Sequence, residues 1–128
     1  MIAPKWSELN LSNMMKTIEI NAEGLAVGRV ASQVTKALQG KTDPTFTPHL
    51  DPQVKVVVKN AGKVTFTGRK LEQKDYLHHT MHPGGLKRKT MKSVFVSNPA
   101  EVMRHAVAGM MPKNRRRDEL MQRLTIEA

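Results

Sequence analysis

The chain has 128 residues, no cysteine and a formal net charge of +10. That length suits one domain with a real hydrophobic core, and the missing cysteines exclude disulfides, thiolate zinc sites and cysteine nucleophiles. No stretch approaches the ~18 apolar residues of a membrane helix, and Met1-Ile2-Ala3-Pro4-Lys5-Trp6 lacks the apolar run of a secretory leader, so a soluble protein of a reducing compartment is expected.

Residues 1–15 carry only Lys5 and Glu8 as charges and read as a loose arm ahead of a single domain over 16–128. Thr17-Ile18-Glu19-Ile20 alternates polar and apolar residues, predicting a short strand that ends at the turn-forming Asn21-Ala22-Glu23-Gly24. From Leu25 the period changes. Val27, Val30, Ala31, Val34, Ala37 and Leu38 fall at helical spacing, and Gly40 stands where a helix C-cap belongs. Pro44 and Pro48 make residues 41–51 a surface connection.

Val54-Lys55-Val56-Val57-Val58-Lys59 predicts a β-branched strand, and its adjacent valines predict burial on both faces. Strand, helix and strand in that order imply a parallel pair joined by a right-handed crossover, hence α/β architecture. A further strand is expected at Lys63–Thr67, a turn at Gly68-Arg69-Lys70, and a loop over His78–Gly85 whose glycines permit close backbone approach. Asn98-Pro99-Ala100-Glu101 opens a helix striped by Val102, Met103, Ala106, Val107 and Met110, which Pro112 stops near Met111. After the basic hinge Lys113–Arg117, a shorter helix is expected from Asp118 to Leu124, with Leu120, Met121 and Leu124 inward.

The charge is unevenly placed. Residues 1–54 and 93–128 carry net charges of 0 and +2, whereas residues 55–92 carry ten basic and two acidic side chains, interleaved with Tyr, His and Gly. A polyanion-binding surface in that stretch is the natural reading, because a solvated face ordinarily mixes both signs. The cluster Lys87-Arg88-Lys89 lies at its centre.

Other chemistry finds less support. Gly24-Leu25-Ala26-Val27-Gly28-Arg29 stands between strand and helix like a dinucleotide-binding turn but has two glycines where that fingerprint needs three. Arg29 still suits a phosphate at the helix start. His78, His79 and His82 have the residue type of a zinc site, yet neighbouring histidines on extended chain point to opposite sides, and Pro83-Gly84-Gly85 discourages a helix. Stacking on bases or donating to phosphates suits them better. The methionines read as adaptable core. The acids are scattered, with no pairing that marks a cleft, and five aromatic residues supply few stacking platforms.

These segments, in order, resemble the family of the thirteenth protein of the large ribosomal subunit in its bacterial form. The resemblance is carried by Val27-Gly28-Arg29-Val30-Ala31, Gly40-Lys41, Phe46-Thr47-Pro48-His49-Leu50-Asp51, Val58-Lys59-Asn60-Ala61-Gly62-Lys63-Val64 and Thr67-Gly68. It continues through Lys74-Asp75-Tyr76-Leu77-His78-His79-Thr80, His82-Pro83-Gly84-Gly85-Leu86-Lys87 and Ala106-Val107-Ala108-Gly109-Met110-Met111-Pro112-Lys113-Asn114, covering roughly residues 16–114. It implies a three-layer α/β/α domain around a small parallel sheet of about four strands, with a basic His/Gly-rich loop and C-terminal helices. It further implies binding to large-subunit ribosomal RNA beside neighbouring ribosomal proteins, early incorporation into the subunit, and no catalysis, cofactor or metal. Carried over by matching position, the implied RNA contacts are Arg29, Lys41, His49, Lys70, Tyr76, His78, His79, His82, Gly84, Gly85, Lys87, Lys113 and Arg115, to which the basic cluster adds Arg88 and Lys89.

The chain departs from the family after Asn114, where Arg115-Arg116-Arg117-Asp118 replaces a Leu-Gly-Arg type segment, and the family's His- and Pro-containing tail has no counterpart. Two other classes remain open from the residues alone: a small nucleotide-using enzyme on the strand-helix-strand unit, and a free DNA-binding module. Salt-dependent binding is common to both nucleic-acid readings, whereas co-sedimentation with ribosomal subunits separates them.

Overall fold

The computed structural model describes residues 15–128. The arm expected over residues 1–15 lies outside the described residues except for Met15. Five strands and five helices follow in chain order: β1 Lys16–Asn21, α1 Val27–Leu38, β2 Val54–Lys59, α2 Lys70–Gln73, β3 Asp75–His79, β4 Leu86–Thr90, α3 Met91–Ser97, α4 Pro99–Met110, α5 Arg116–Gln122 and β5 Leu124–Ile126.

Strands β1, β2 and β5 form a parallel sheet in the order β1-β2-β5, with Ile18 opposite Val56, Ile20 opposite Val58, and Val56 opposite Leu124. Residues in register share a face, so these apolar side chains make one continuous surface. The stripe of α1 packs on it: Val30, Ala31, Val34 and Leu38 are fully buried together with Val56, Val58 and, from α4, Val107.

Each end of the main helices follows from its sequence. Gly40, at φ 75°, closes α1 in a Schellman arrangement, with the amide of Lys41 donating to Lys36 O (3.0 Å) and that of Gly40 to Ala37 O (3.0 Å). A Cβ at Gly40 would also press on the Pro52 ring. Asn98 caps α4 by accepting from the amide of Ala100 at 3.2 Å, with Pro99 in the first turn.

Several expectations require correction. The parallel sheet has three strands, because Lys63–Thr67 contributes only a single bridge, Thr65 with Ala26, outside the sheet. Among the described residues the sheet is covered by helices on one face, giving two layers in place of three. The strand order advances in one direction, so crossovers of the same hand set their helices on the same side. The other face carries Thr17, Glu19, Lys55, Val57, Lys59 and Thr125, exposed or partly so; the valine run of β2 is therefore buried on alternate residues only.

Further differences fall in the second half. His78 and His79 belong to a strand, and β3 pairs antiparallel with β4 in a separate two-stranded ribbon. The turn at Lys70 opens α2, α3 occupies a segment given no element, and α5 ends at Gln122, leaving Leu124 to β5. A second apolar cluster of Met91, Val94 and Val102, with Phe66, Tyr76 and Phe95 against it, ties α3 and α4 to the ribbon root. Phe66 and Phe95 meet edge to face there, with centroids 5.0 Å apart. Met81 and Met110 are exposed, unlike the buried Met91, Met103 and Met111.

Candidate nucleic-acid interface

The ribbon begins and ends at one point, where the amide of Met91 donates to Lys74 O at 2.9 Å. Its tip is closed by the amide of Thr80 donating to Gly85 O (3.1 Å) and that of Gly85 to His82 O (3.0 Å). Gly84 lies at φ 75°, where glycine is favoured, and a Cβ at Gly85 would overlap the Thr80 hydroxyl. The two glycines read as permitting close approach are thus required by the turn itself.

Cross-strand register divides the ribbon into two faces. Tyr76 pairs with Lys89 and His78 with Lys87, so these four share one face; Leu77 pairs with Arg88 and His79 with Leu86, so these share the other. The three consecutive cations therefore do not act as one patch: Lys87 and Lys89 point one way and Arg88 the other. His78 and His79 likewise project to opposite faces, and among the described residues no group of three or more His, Asp or Glu converges as a metal site.

Every residue of β4 is exposed, and in β3 only Tyr76 is partly covered. Met81 stands fully exposed at the tip. The side chains of Lys87, Arg88 and Lys89 make no ion pair or hydrogen bond with the described residues. Tyr76 is the anchor. Its ring stacks on His105 of α4 with centroids 4.8 Å apart and planes at 22°, Lys74 Nζ lies 5.7 Å from its centroid, and His105 Nε2 is 3.7 Å from Glu101 Oε1. Burial, then the charge of Glu101, pushes the Tyr76 hydroxyl above its ordinary pKa, so it stays a neutral donor.

The remaining predicted contacts fall into smaller sets. Lys70 begins α2 near the ribbon root, and the exposed Arg29 lies in the first turn of α1. Lys41 shares a cleft of about 200 Å³ with Phe46, Pro48, Asn114 and Arg117, which brings the loop bearing His49 beside the hinge bearing Lys113 and Arg115. That junction is fixed by Arg116, whose guanidinium donates to Pro48 O and Leu50 O (3.1 Å each), and by Arg123, whose Nη1 and Nη2 reach Asp51 Oδ1 and Oδ2 at 2.7 Å each. The Arg123 bonds hold the Asp51 carboxyl below its usual range.

Not all of the basic stretch belongs to this surface. Lys59 bonds Glu19 at 2.7 Å and Lys63 bonds Glu23 at 3.3 Å beside the sheet, so part of the excess charge is neutralised within the chain. Conversely, sequence reasoning passed over Lys74 and His105, which frame the ribbon root. Tyr76 and His78 alternating ahead of a Gly-Gly turn was the local signal for the strand; nothing near His105 marked it.

The family description Ribosomal protein L13 matches residues 15–126. The large ribosomal subunit protein uL13 of Caldanaerobacter subterraneus is 49% identical over 111 residues, covering 87% of this chain and 78% of that protein. The Spiroplasma citri protein of that name is 45% identical over 109 residues (85% and 75%), and that of Alkaliphilus metalliredigens 41% over 124 residues (91% and 87%). The chain belongs to the ribosomal protein L13 family, a non-enzymatic structural family of the large ribosomal subunit.

Proposed function

We propose that this protein binds large-subunit ribosomal RNA in the cytoplasmic ribosome, beside neighbouring ribosomal proteins, and supports early subunit assembly as one domain over residues 16–128. The observation that carries the reading is the β3–β4 ribbon: cations on both faces, all of β4 exposed, and no partner for those cations within the described chain. Such an element gains nothing from its own fold and suits a polyanion that covers it.

In this reading Tyr76, His78, His82, Lys87 and Lys89 serve one face and the tip, His79 and Arg88 the other, and Gly84 and Gly85 shape the turn. Arg29 and Lys70 extend the contact from the ribbon root, while Lys41, His49, Lys113 and Arg115 form a second basic area beside the cleft. The test is co-sedimentation. Tagged protein should migrate with large subunits and withstand a moderate salt wash; recovery only from the soluble fraction would count decisively against the proposal.

A further inference from the structure

Between the ribbon root and the body lies a cavity of about 320 Å³, of whose lining only Lys70 is among the contacts proposed above. This volume is within the roughly 300–1,000 Å³ of small-ligand sites. Its walls divide by chemistry. Lys70, Lys74 and His105 supply cationic or donor groups, Phe66 and Met91 an apolar floor, and no lining residue is acidic. Glu101 lies 3.7 Å from His105 Nε2, outside the lining.

Two glycines on the wall give an independent indication. Gly28 in α1 and Gly109 in α4 both lack positive φ, and a Cβ built on either meets nothing within 4 Å. Neither backbone geometry nor internal packing requires glycine there. Gly28 lies in the first turn of α1 and Gly109 in the last turn of α4, both exposed, so the space beside them is open to an incoming group. The turn Gly24–Arg29, singled out in the sequence for its likeness to a phosphate-binding turn, supplies one side of the same cavity through Ala26, Val27 and Gly28.

We infer that the cavity receives one unpaired nucleotide of the bound RNA. This rests on the RNA-binding reading and specifies it. The base lies on Phe66 and Met91 in the space left by Gly28 and Gly109, its phosphate is held by Lys70 and Lys74, and His105, backed by Tyr76, lies alongside. Unpaired nucleotides are the parts of RNA whose bases are free to be drawn into such a site. The inference joins the ribbon to the body: seating the nucleotide beside His105 and Lys74 loads the contacts that anchor Tyr76.

The test titrates the four nucleoside 5′-monophosphates, and separately inorganic phosphate, into the full ¹⁵N-labelled chain. Nucleotide should produce saturable shifts at the amides of Gly28, Thr67 and Gly109, at concentrations about tenfold below those at which phosphate does so. Gly109→Leu, a helix-favouring change, should abolish them with the thermal midpoint unchanged or raised. Absence of saturable shifts, equal response to phosphate, or persistence in Gly109→Leu would overturn the inference. Should Gly109→Leu lower the midpoint, Lys74→Ala is read in its place, expected to weaken nucleotide binding about tenfold; an unchanged response refutes it. Binding of large-subunit RNA to the wild type, measured in parallel, separates the two readings. RNA bound equally by wild type and Gly109→Leu overturns the cavity alone, whereas RNA not bound by the wild type refutes RNA binding itself.

Discussion

Replacing Lys87 and Lys89 together by Ala should lower the salt dependence of RNA binding by a predictable amount, and replacing Arg88 should lower it separately. Lys87 and Lys89 lie on one ribbon face and Arg88 on the other. Each neutralised phosphate contributes about 0.7–0.9 to the slope of log K against log salt. The double variant should therefore lose about 1.4–1.8 from the slope and Arg88→Ala about 0.7–0.9. Over a fourfold rise in salt, the wild type should lose about tenfold more affinity than Lys87→Ala/Lys89→Ala. None of the three side chains is bonded within the described residues and all are exposed, so unfolding free energy should stay within about 0.5 kcal/mol of wild type, which isolates the binding effect. Filter binding to large-subunit RNA across a salt series, with urea unfolding as the control, measures both. An unchanged slope in the double variant would remove this face from the interface. A change there with none in Arg88→Ala would show that RNA covers one face only, contrary to the geometry argued above.

Three further outcomes are expected. Leu38→Ala, at a fully buried site on α1, should destabilise the fold by about 2–5 kcal/mol in urea unfolding, and a loss under 1 kcal/mol would contradict its place in the core. Asp51→Asn should cost about 1 kcal/mol at pH 7, since the paired carboxylate is half-exposed and solvent weakens the bond to Arg123. Because the folded Asp51 carboxyl titrates below its unfolded value of about 4, its contribution is present above that pH and disappears as pH falls through the lower folded value; the difference between wild type and variant should shrink accordingly. A difference that grows on acidification would refute the pairing. Gly85→Ala should distort the ribbon tip and weaken RNA binding while leaving the thermal midpoint within a few degrees, as the tip is remote from both apolar clusters.

Among the elements that pack internally, α1, α4 and β2 were legible in the sequence, whereas the short α3 and β5 and the outward-facing ribbon were not. The α1 stripe, the capped start of α4 and the β2 strand were each marked by a side-chain pattern that the body itself satisfies, and all three occur within two residues of expectation. The fourth strand failed because β-prone residues at Val64–Phe66 state a preference for extended chain, not a partner: Thr65 donates to Leu25 O and accepts from the amide of Val27, and Lys63 O accepts from the amide of Gly24, in place of the sheet. Burial of β2 on both faces failed for a related reason. Adjacent valines report propensity, whereas the number of layers depends on the order in which strands join, which no local pattern encodes.

The ribbon shows the same limit most clearly. Hydrophobic periodicity reveals a strand because one face meets a core, and β3 and β4 meet almost none: Leu77 is 57% exposed and Leu86 44%. Their cross-strand order, cations with Tyr76 and His78 on one side and leucines with Arg88 on the other, is a pattern that packing within the described residues does not account for. Composition registered its charge but could not divide it, and it counted Lys59 and Lys63, which the fold neutralises on Glu19 and Glu23. On the proposed RNA-binding reading, the functional surface is the part of the molecule where the usual cue to structure is absent, because RNA and not the chain itself would cover the ribbon.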